Sequence, residues 1–336
     1  MSVLCLTPHY LKDFRCTAAC PLGGDAAHCP ARSALRIRAI YEQSLRLVCP
    51  AAVARVLRHA DGLHFVNFAL PAAPRTRNEE IPGLAEPTAE ASFLLDLQRA
   101  SLHLLGLKKY SVDVRLILLG LFLEDAGDYI ESGRGGRLGE IVKSYDTPLF
   151  DQRFSAALGS LKFDPVRTLD YLWGIVKKIV SAPGSPLTRE DIALAQNVYH
   201  LGGAPDLARV ARAVTVSRRS LRTYVYLRFP GLRERLLLHE FYTELYPCAL
   251  KGGLIHNYWC FVLAEKIALL FLAALAAMER ANLTEEKVCT LLTRLVRLPQ
   301  HPAALAAIEA TLTGHEDDSL TLFALLFPVN DALSSK

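Results

Sequence analysis

The sequence lacks most of the motifs that assign a function at sight. It has two methionines and two tryptophans in 336 residues, and a net charge of only +4. Proteins that hold phosphate backbones concentrate basic charge far more, so composition gives no ground for a nucleic-acid partner. No glycine-rich strand–loop–helix is present, no serine sits in a Gly-x-Ser-x-Gly elbow, and His239-Glu240 is no zincin because position 243 is threonine. No Cys-x-x-Cys pair occurs. The opening residues, Met-Ser-Val-Leu-Cys-Leu-Thr-Pro, show no basic stretch followed by an apolar one, so a secretory signal is not expected. The most apolar run, Ile267 to Met278, stops at Glu265 and Lys266 on one side. It is shorter than the roughly 20 residues a membrane span needs, and reads as a buried core helix. A cytoplasmic protein with reduced cysteines and no membrane partner is expected.

Apolar residues make up 51% of the chain, enough for a sizeable core without disulfide staples. The fold class read from the pattern is mainly α: a multi-helix bundle body behind a small, irregular, cysteine-containing N-terminal region. That region covers 1–70. Within it, Tyr41 to Leu57 reads as a short extended piece and then a helix starting after Pro50, and Leu63 to Leu70 as a short strand. Residues 71–88 hold Pro71, Pro74, Pro82 and Pro87, a density that forbids regular structure, and read as a linker or loop. From Ala89 to the end, 89–336, the period is helical. Leu169, Leu172, Trp173, Val176, Ile179 and Val180 fall on one face of a helix opened by Asp164-Pro165 and closed by Pro183-Gly184. Thr188 with Asp191, and Thr284 with Glu285 and Glu286, are helix starts.

Cysteine usage is uneven. Cys16, Cys20, Cys29 and Cys49 gather near the N-terminus with Cys5 upstream, whereas Cys248, Cys260 and Cys289 stand alone among apolar residues. The spacing Cys16-x3-Cys20-x8-Cys29-x19-Cys49 offers four thiolates, the number that completes a zinc site or an iron–sulfur cluster. The alternative is four unliganded thiols in a small apolar subdomain. Gly133-Arg134-Gly135-Gly136 follows a helix rather than a strand and reads as a helix-stop loop. His315-Glu316-Asp317-Asp318 reads as a polar capping turn, and His256 as a core histidine.

Arg209 to Arg235 carries eight arginines and one acid, Glu234. Leu207–Ala211 and Val216–Leu221 have the look of a helix-turn-helix, in which a second helix reads bases. Ala213-Val214-Thr215 stands where the turn needs its glycine, so DNA binding through Arg218, Arg219 and Arg222 is the less favoured reading. The expectation is that these arginines are not displayed together for a major groove.

Several stretches, in order, resemble the bacterial flagellin lysine-N-methylases (the FliB-like family). Leu6-Thr7-Pro8-His9-Tyr10-Leu11-Lys12-Asp13-Phe14-Arg15-Cys16 is similar to that family's start, with Cys20 as its next cysteine. Cys29 and Ser44-Leu45-Arg46-Leu47-Val48-Cys49-Pro50-Ala51-Ala52 resemble its later cysteine and Cys-Pro segment. Arg115 to Phe122, Leu236 to Pro247, and Arg294 to His301 are similar to its later helices. The family's denser cysteine block, with an adjacent Cys-Cys pair, is shortened here to the eight residues between Cys20 and Cys29. The resemblance implies methyl transfer from S-adenosylmethionine to flagellin lysines, with Cys16, Cys20, Cys29 and Cys49 holding an iron–sulfur cluster or zinc. A relative that has lost the site and acts as a flagellin-binding module is the alternative.

Overall fold

The computed structural model describes residues 3–11, 14, 29, 31–37, 40–59, 64–70, 75–77, 79, 89–131, 138–145, 147–201, 206–246, 253–313 and 319–328. In chain order the elements are β1 (Val3–Pro8), β2 (Arg32–Ile37), β3 (Ile40–Leu45), α1 (Pro50–Arg58), β4 (Phe65–Leu70), α2 (Ala89–Leu105), α3 (Val112–Glu131), α4 (Leu138–Ser144) and α5 (Pro148–Ser160). They continue with α6 (Pro165–Ser181), α7 (Arg189–Tyr199), α8 (Leu207–Ser220), α9 (Leu232–Glu244), α10 (Leu254–Glu279), α11 (Glu285–Leu295), α12 (Pro302–Leu312) and α13 (Ser319–Leu326). The protein is mainly α, as the sequence pattern implies.

Contacts divide the chain into two compact units. The first comprises Met1–Lys108, Leu119–Lys143 and Gly231–Tyr258; the second comprises Lys109–Leu118, Ser144–Pro230 and Trp259–Lys336.

The first unit holds the only sheet among the described residues, with strand order β2-β3-β1-β4. β2 and β3 form an antiparallel hairpin, β1 runs parallel to β3, and β4 returns antiparallel to β1. The strand at β4 and the extended piece followed by a helix at β3 and α1 match the sequence reading. β1 and β2 were not expected. Their period-2 signal is weak: β1 buries Cys5 and Thr7, small residues that carry little apolar weight. Helix α1 buries Ala52, Val53, Val56 and Leu57 on one stripe. Helix α9 packs against α1, α2 and β3. It is therefore buried almost all round, polar residues included.

The second unit is helix on helix. In α6 the side chain of Asp164 accepts from the N–H groups of Val166 and Arg167 at 2.9 and 3.2 Å, and Pro165 occupies the first turn. Its buried residues Leu169, Leu172, Trp173, Ile175, Val176 and Ile179 lie on a helix that packs against α8, α12 and α13, whereas Val180, placed on the same face by its spacing, is 39% exposed in the last turn. Thr188 and Asp191 close a reciprocal capping box at the start of α7. Asp191 also accepts from Arg294 at 2.6 Å.

Two sequence readings need correction. The apolar run at Ile267–Met278 is part of one unbroken helix, α10, that passes straight through Glu265 and Lys266. The helix tolerates Lys266 because its ammonium is 2.6 Å from Asp113 and 4.1 Å from the centre of the Phe327 ring. By length and composition this helix suffices to cross a membrane, yet 72% of its apolar window is buried within the fold, as in the core helix of a globular protein. The second correction concerns Leu207–Leu221. The supposed turn at Ala213-Val214-Thr215 lies inside α8, which continues into a π-helical segment, Leu221–Tyr226. No residue there breaks the backbone hydrogen-bond ladder, so no helix-turn-helix forms.

Candidate functional site

In the hairpin of the first unit, Arg32 pairs with Leu45 in register, and the ladder runs one step further through Arg46 N–H to the Ala31 carbonyl at 2.7 Å. Cys29 precedes β2 by three residues and Cys49 follows β3 by four. Both cysteines therefore leave the same end of one hairpin. Both are buried, at 5% and 1% exposure. The Arg32 N–H is bonded to the Cys29 carbonyl at 3.0 Å, which turns the chain into β2. Cys49 is the N-cap of α1, and its side chain makes no capping hydrogen bond. Sulfur at a helix N-terminus faces the positive end of the macrodipole, where thiolate is favoured.

Positive charge stands beside this end of the hairpin. The Arg32 guanidinium donates to the carbonyls of Leu11 (3.2 Å) and Phe14 and lies over the Phe14 ring. Its Nε is buried with no partner among the described residues. Burial lowers the Arg32 pKa, and the neighbouring Cys29 thiol opposes that shift. Cys29 and Cys49 are thus the two described members of the four-cysteine set, both buried at one hairpin end, Cys49 at a helix N-terminus and Cys29 beside a guanidinium. Cys16 and Cys20 lie outside the described residues, as do Gly133-Arg134-Gly135-Gly136, Cys248 and His315-Glu316-Asp317-Asp318. Cys5 and Cys29 are free thiols, and burial pushes the Cys5 thiol pKa up.

Below the hairpin, α9 supplies a buried polar stripe that sequence reasoning passed over. His239 is 1% exposed. Its Nδ1 is bonded to the Tyr10 hydroxyl and its Nε2 to the Leu45 carbonyl. Those partners fix the tautomer: Tyr10 donates to Nδ1 and Nε2–H donates to the carbonyl. Thr243 Oγ1 is 3.3 Å from the same Nε2. Burial pulls the His239 pKa from 6.5 down to about 4, against the Leu45 hydrogen bond and the charge of Glu244. His239 is therefore neutral at pH 7. Tyr10 is pushed far above the ordinary phenol range by burial and then by Glu240.

One turn on, Glu244 is gripped from two sides. Arg46 Nε is 3.1 Å from one carboxylate oxygen and Arg77 is 2.8 Å from the other. Arg77 also donates to the Thr243 carbonyl at 3.1 Å. Gln98 donates to the carbonyls of Phe241 and Tyr242, and the Tyr242 hydroxyl donates to the Gln43 carbonyl at 2.9 Å. Helix α9 ends on Leu245 at φ 55°, a left-handed position that usually takes glycine. The free carbonyls of that end are thus met by side chains of the sheet region and α2. Burial also raises the carboxyl pKa of Glu42 on β3, the more moderate opposing influence being Arg99. This network joins the residues around the cysteines to α9. The signal in the sequence was His239, Glu240, Thr243 and Glu244 set among the apolar and aromatic residues from Leu236 to Leu245, each a polar group that burial obliges to find partners.

In the second unit, Arg218 lies over the Phe163 ring at 5.3 Å and is half-buried, while Arg219 and Arg222 are exposed. The three are not displayed together, as expected, and α8 with its π-helical extension offers no second recognition helix.

A mainly α protein with an N-terminal cysteine hairpin anchored on a polar helix is thus the class that fold and geometry define. Residues 98–326 match the FliB lysine N-methylase C-terminal domain, and the chain belongs to that family. The matched segment opens inside α2 at Gln98, whose amide holds α9, and closes at the last residue of α13. The chain matches no curated protein and no solved structure.

Proposed function

We propose that the protein transfers the methyl group of S-adenosylmethionine to the side-chain nitrogen of flagellin lysines. The single observation that carries this reading is membership of the lysine N-methylase family across 98–326. The ordered resemblance of the N-terminal segments supports it independently, because those segments lie before the matched domain.

When bound, S-adenosylmethionine supplies an electrophilic methyl carbon. The lysine must present a free electron pair, so its ammonium has to lose a proton before or during attack. A site that accepts this lysine therefore excludes water and offers a nearby acceptor. Cys16, Cys20, Cys29 and Cys49 would hold zinc or an iron–sulfur cluster, whose soft thiolate ligation matches the donor set. Arg32, whose buried Nε has no partner among the described residues, would balance the charge of the thiolates at that end of the hairpin. The buried network of Tyr10, His239, Glu244, Arg46 and Arg77 would keep the hairpin on α9. The cytoplasm, where thiols stay reduced, is the proposed location.

A second reading, a non-catalytic flagellin-binding relative, draws on the short spacing between Cys20 and Cys29. Anaerobic purification followed by iron, sulfide and zinc analysis separates the two, together with mass spectrometry of flagellin incubated with S-adenosylmethionine. Bound metal and lysines heavier by one or more methyl groups support the enzyme. Metal-free protein that binds flagellin and leaves its mass unchanged supports the second reading.

A further inference from the structure

A groove of about 710 Å³ opens in the second unit between the end of α7, one face of α8 and the corner that follows α10. Three guanidiniums line it: Arg209 and Arg212 from α8, and Arg280 from the turn after α10. All three are exposed. None is in an ion pair among the described residues, and the one acid in the lining, Glu279, is already held by Lys287 at 2.7 Å. The walls between the arginines are apolar. Val216 and Met278, both 51% exposed, stand together in the lining and present apolar side chains beside the guanidiniums. Three non-glycine residues among those described adopt left-handed backbone, and two of them, His200 (φ 58°) and Arg280 (φ 50°), line this groove. Such conformations are disfavoured by the Cβ atom and gather at binding sites.

The chemistry of this lining selects its occupant. S-adenosylmethionine carries a sulfonium and an ammonium against a single carboxylate, so its net charge is positive and three guanidiniums with no acid paired to them among the described residues disfavour it. A nucleic-acid backbone is uniformly anionic and has no use for an apolar wall at Val216 and Met278. A chain with carboxylates flanking an apolar side chain fits both features, and arginine and methionine are enriched where proteins bind one another. We propose that this groove docks an acidic segment of the protein substrate, carboxylates on Arg209, Arg212 and Arg280 and an apolar side chain against Val216 and Met278. The identity of the partner rests on the methylase reading; the preference for an acidic segment does not.

Met278 is the one methionine besides Met1, so labelling methionine methyls with carbon-13 places a single internal probe in the groove. The full chain is titrated with a short peptide of glutamates around one leucine, with its glutamine counterpart, and with purified flagellin. The glutamate peptide and flagellin are expected to shift the Met278 resonance saturably, and more weakly as salt is raised. Arg209→Glu with Arg212→Glu is expected to weaken both by about tenfold or more. Arg219→Glu, an exposed change on the same helix outside the groove, is expected to change neither. In methylation of flagellin the double variant is expected to raise KM with kcat retained, because docking is uniform binding. Equal shifts by the glutamine peptide, or no shift by either acidic ligand, overturn the proposal. A shift with the peptide but not with flagellin overturns the assignment to the substrate. Should no flagellin lysine be methylated while both ligands shift Met278, the methylase reading fails and the groove stands as a docking site for flagellin.

Discussion

Helices α9 and α10 are neighbours in the sequence and solve opposite problems. Helix α9 buries His239, Glu240, Thr243 and Glu244, and the polar side chains of the first unit converge on it. Helix α10 is apolar through most of its length, and its one buried ammonium, Lys266, is matched with Asp113 in the second unit. The difference teaches where specificity is stored. An apolar helix packs by volume and tolerates exchange of shape for shape. A helix whose buried imidazole and carboxylate are held by partners from other elements, as His239 is by Tyr10 and Leu45 and Glu244 by Arg46 and Arg77, fixes one register, because a slip leaves those groups unpaired.

Removing a charge should expose this difference most. Glu244→Gln leaves Arg77 buried beside an amide that cannot match its charge, with an expected loss of about 3–5 kcal/mol, read as a fall in the urea midpoint. In the second unit, exchanging the whole pair by Lys266→Met with Asp113→Leu is expected to change stability by about 1 kcal/mol or less, because both charges leave together and apolar side chains replace them. Equal losses from the two changes would erase the comparison.

Acid sharpens it next. The folded pKa of His239, about 4, lies below its ordinary value of 6.5. The unfolded chain therefore binds the extra proton first as pH falls. The stability carried by neutral His239 is complete above about pH 6.5 and is lost as pH drops toward about 4, by roughly 3 kcal/mol in all. Urea midpoints across that window are expected to fall in the native chain. They are expected to fall less steeply in His239→Gln, which starts less stable because Tyr10 and the Leu45 carbonyl lose an exact partner geometry. A profile unchanged by the substitution would contradict the buried neutral imidazole.

The sequence showed much of the second unit and less of the first. The stripe of α6, the caps at Asp164, Thr188 and Thr284, and the terminator at Pro183-Gly184 were legible because local chemistry decides them within a few residues. In the first unit, the strand at β4 and the helix after Pro50 were legible, but β1 and β2 were not: β1 pairs with β3 and β4, both distant in the chain, and β2, although it pairs with the adjacent β3, shows little apolar alternation. Polar residues of α9 gave no periodic signal. Their partners, Tyr10, Arg46 and Arg77, stand more than a hundred residues away, and only tertiary contact joins them. Basic residues at 209–222 imitate the composition of a helix-turn-helix along one continuous helix, and the missing turn glycine at Ala213-Val214-Thr215 was the sequence sign against that motif.

A smaller effect tests the local side of the contrast. Thr188→Ala removes the hydroxyl that accepts from the Asp191 N–H at 3.1 Å. The expected loss is about 1 kcal/mol, the usual worth of an N-cap, with helix content nearly unchanged by circular dichroism. A loss as large as that of Glu244→Gln would mean that the second unit, too, depends on a polar network.

The proposed function is methylation of lysine in flagellin, with the N-terminal cysteines holding the metal or cluster that this activity would need. It is tested most directly by incubating anaerobically purified protein and its Cys29→Ser with Cys49→Ser variant with flagellin and S-adenosylmethionine, and measuring flagellin lysine mass by peptide mass spectrometry alongside bound iron and zinc. The account expects methylated lysines and bound metal from the native chain, and loss of both from a variant that retains its helical circular dichroism. Full methylation by a variant stripped of metal would contradict the role of the cysteines, and unmodified flagellin with metal-loaded native protein would contradict the activity itself.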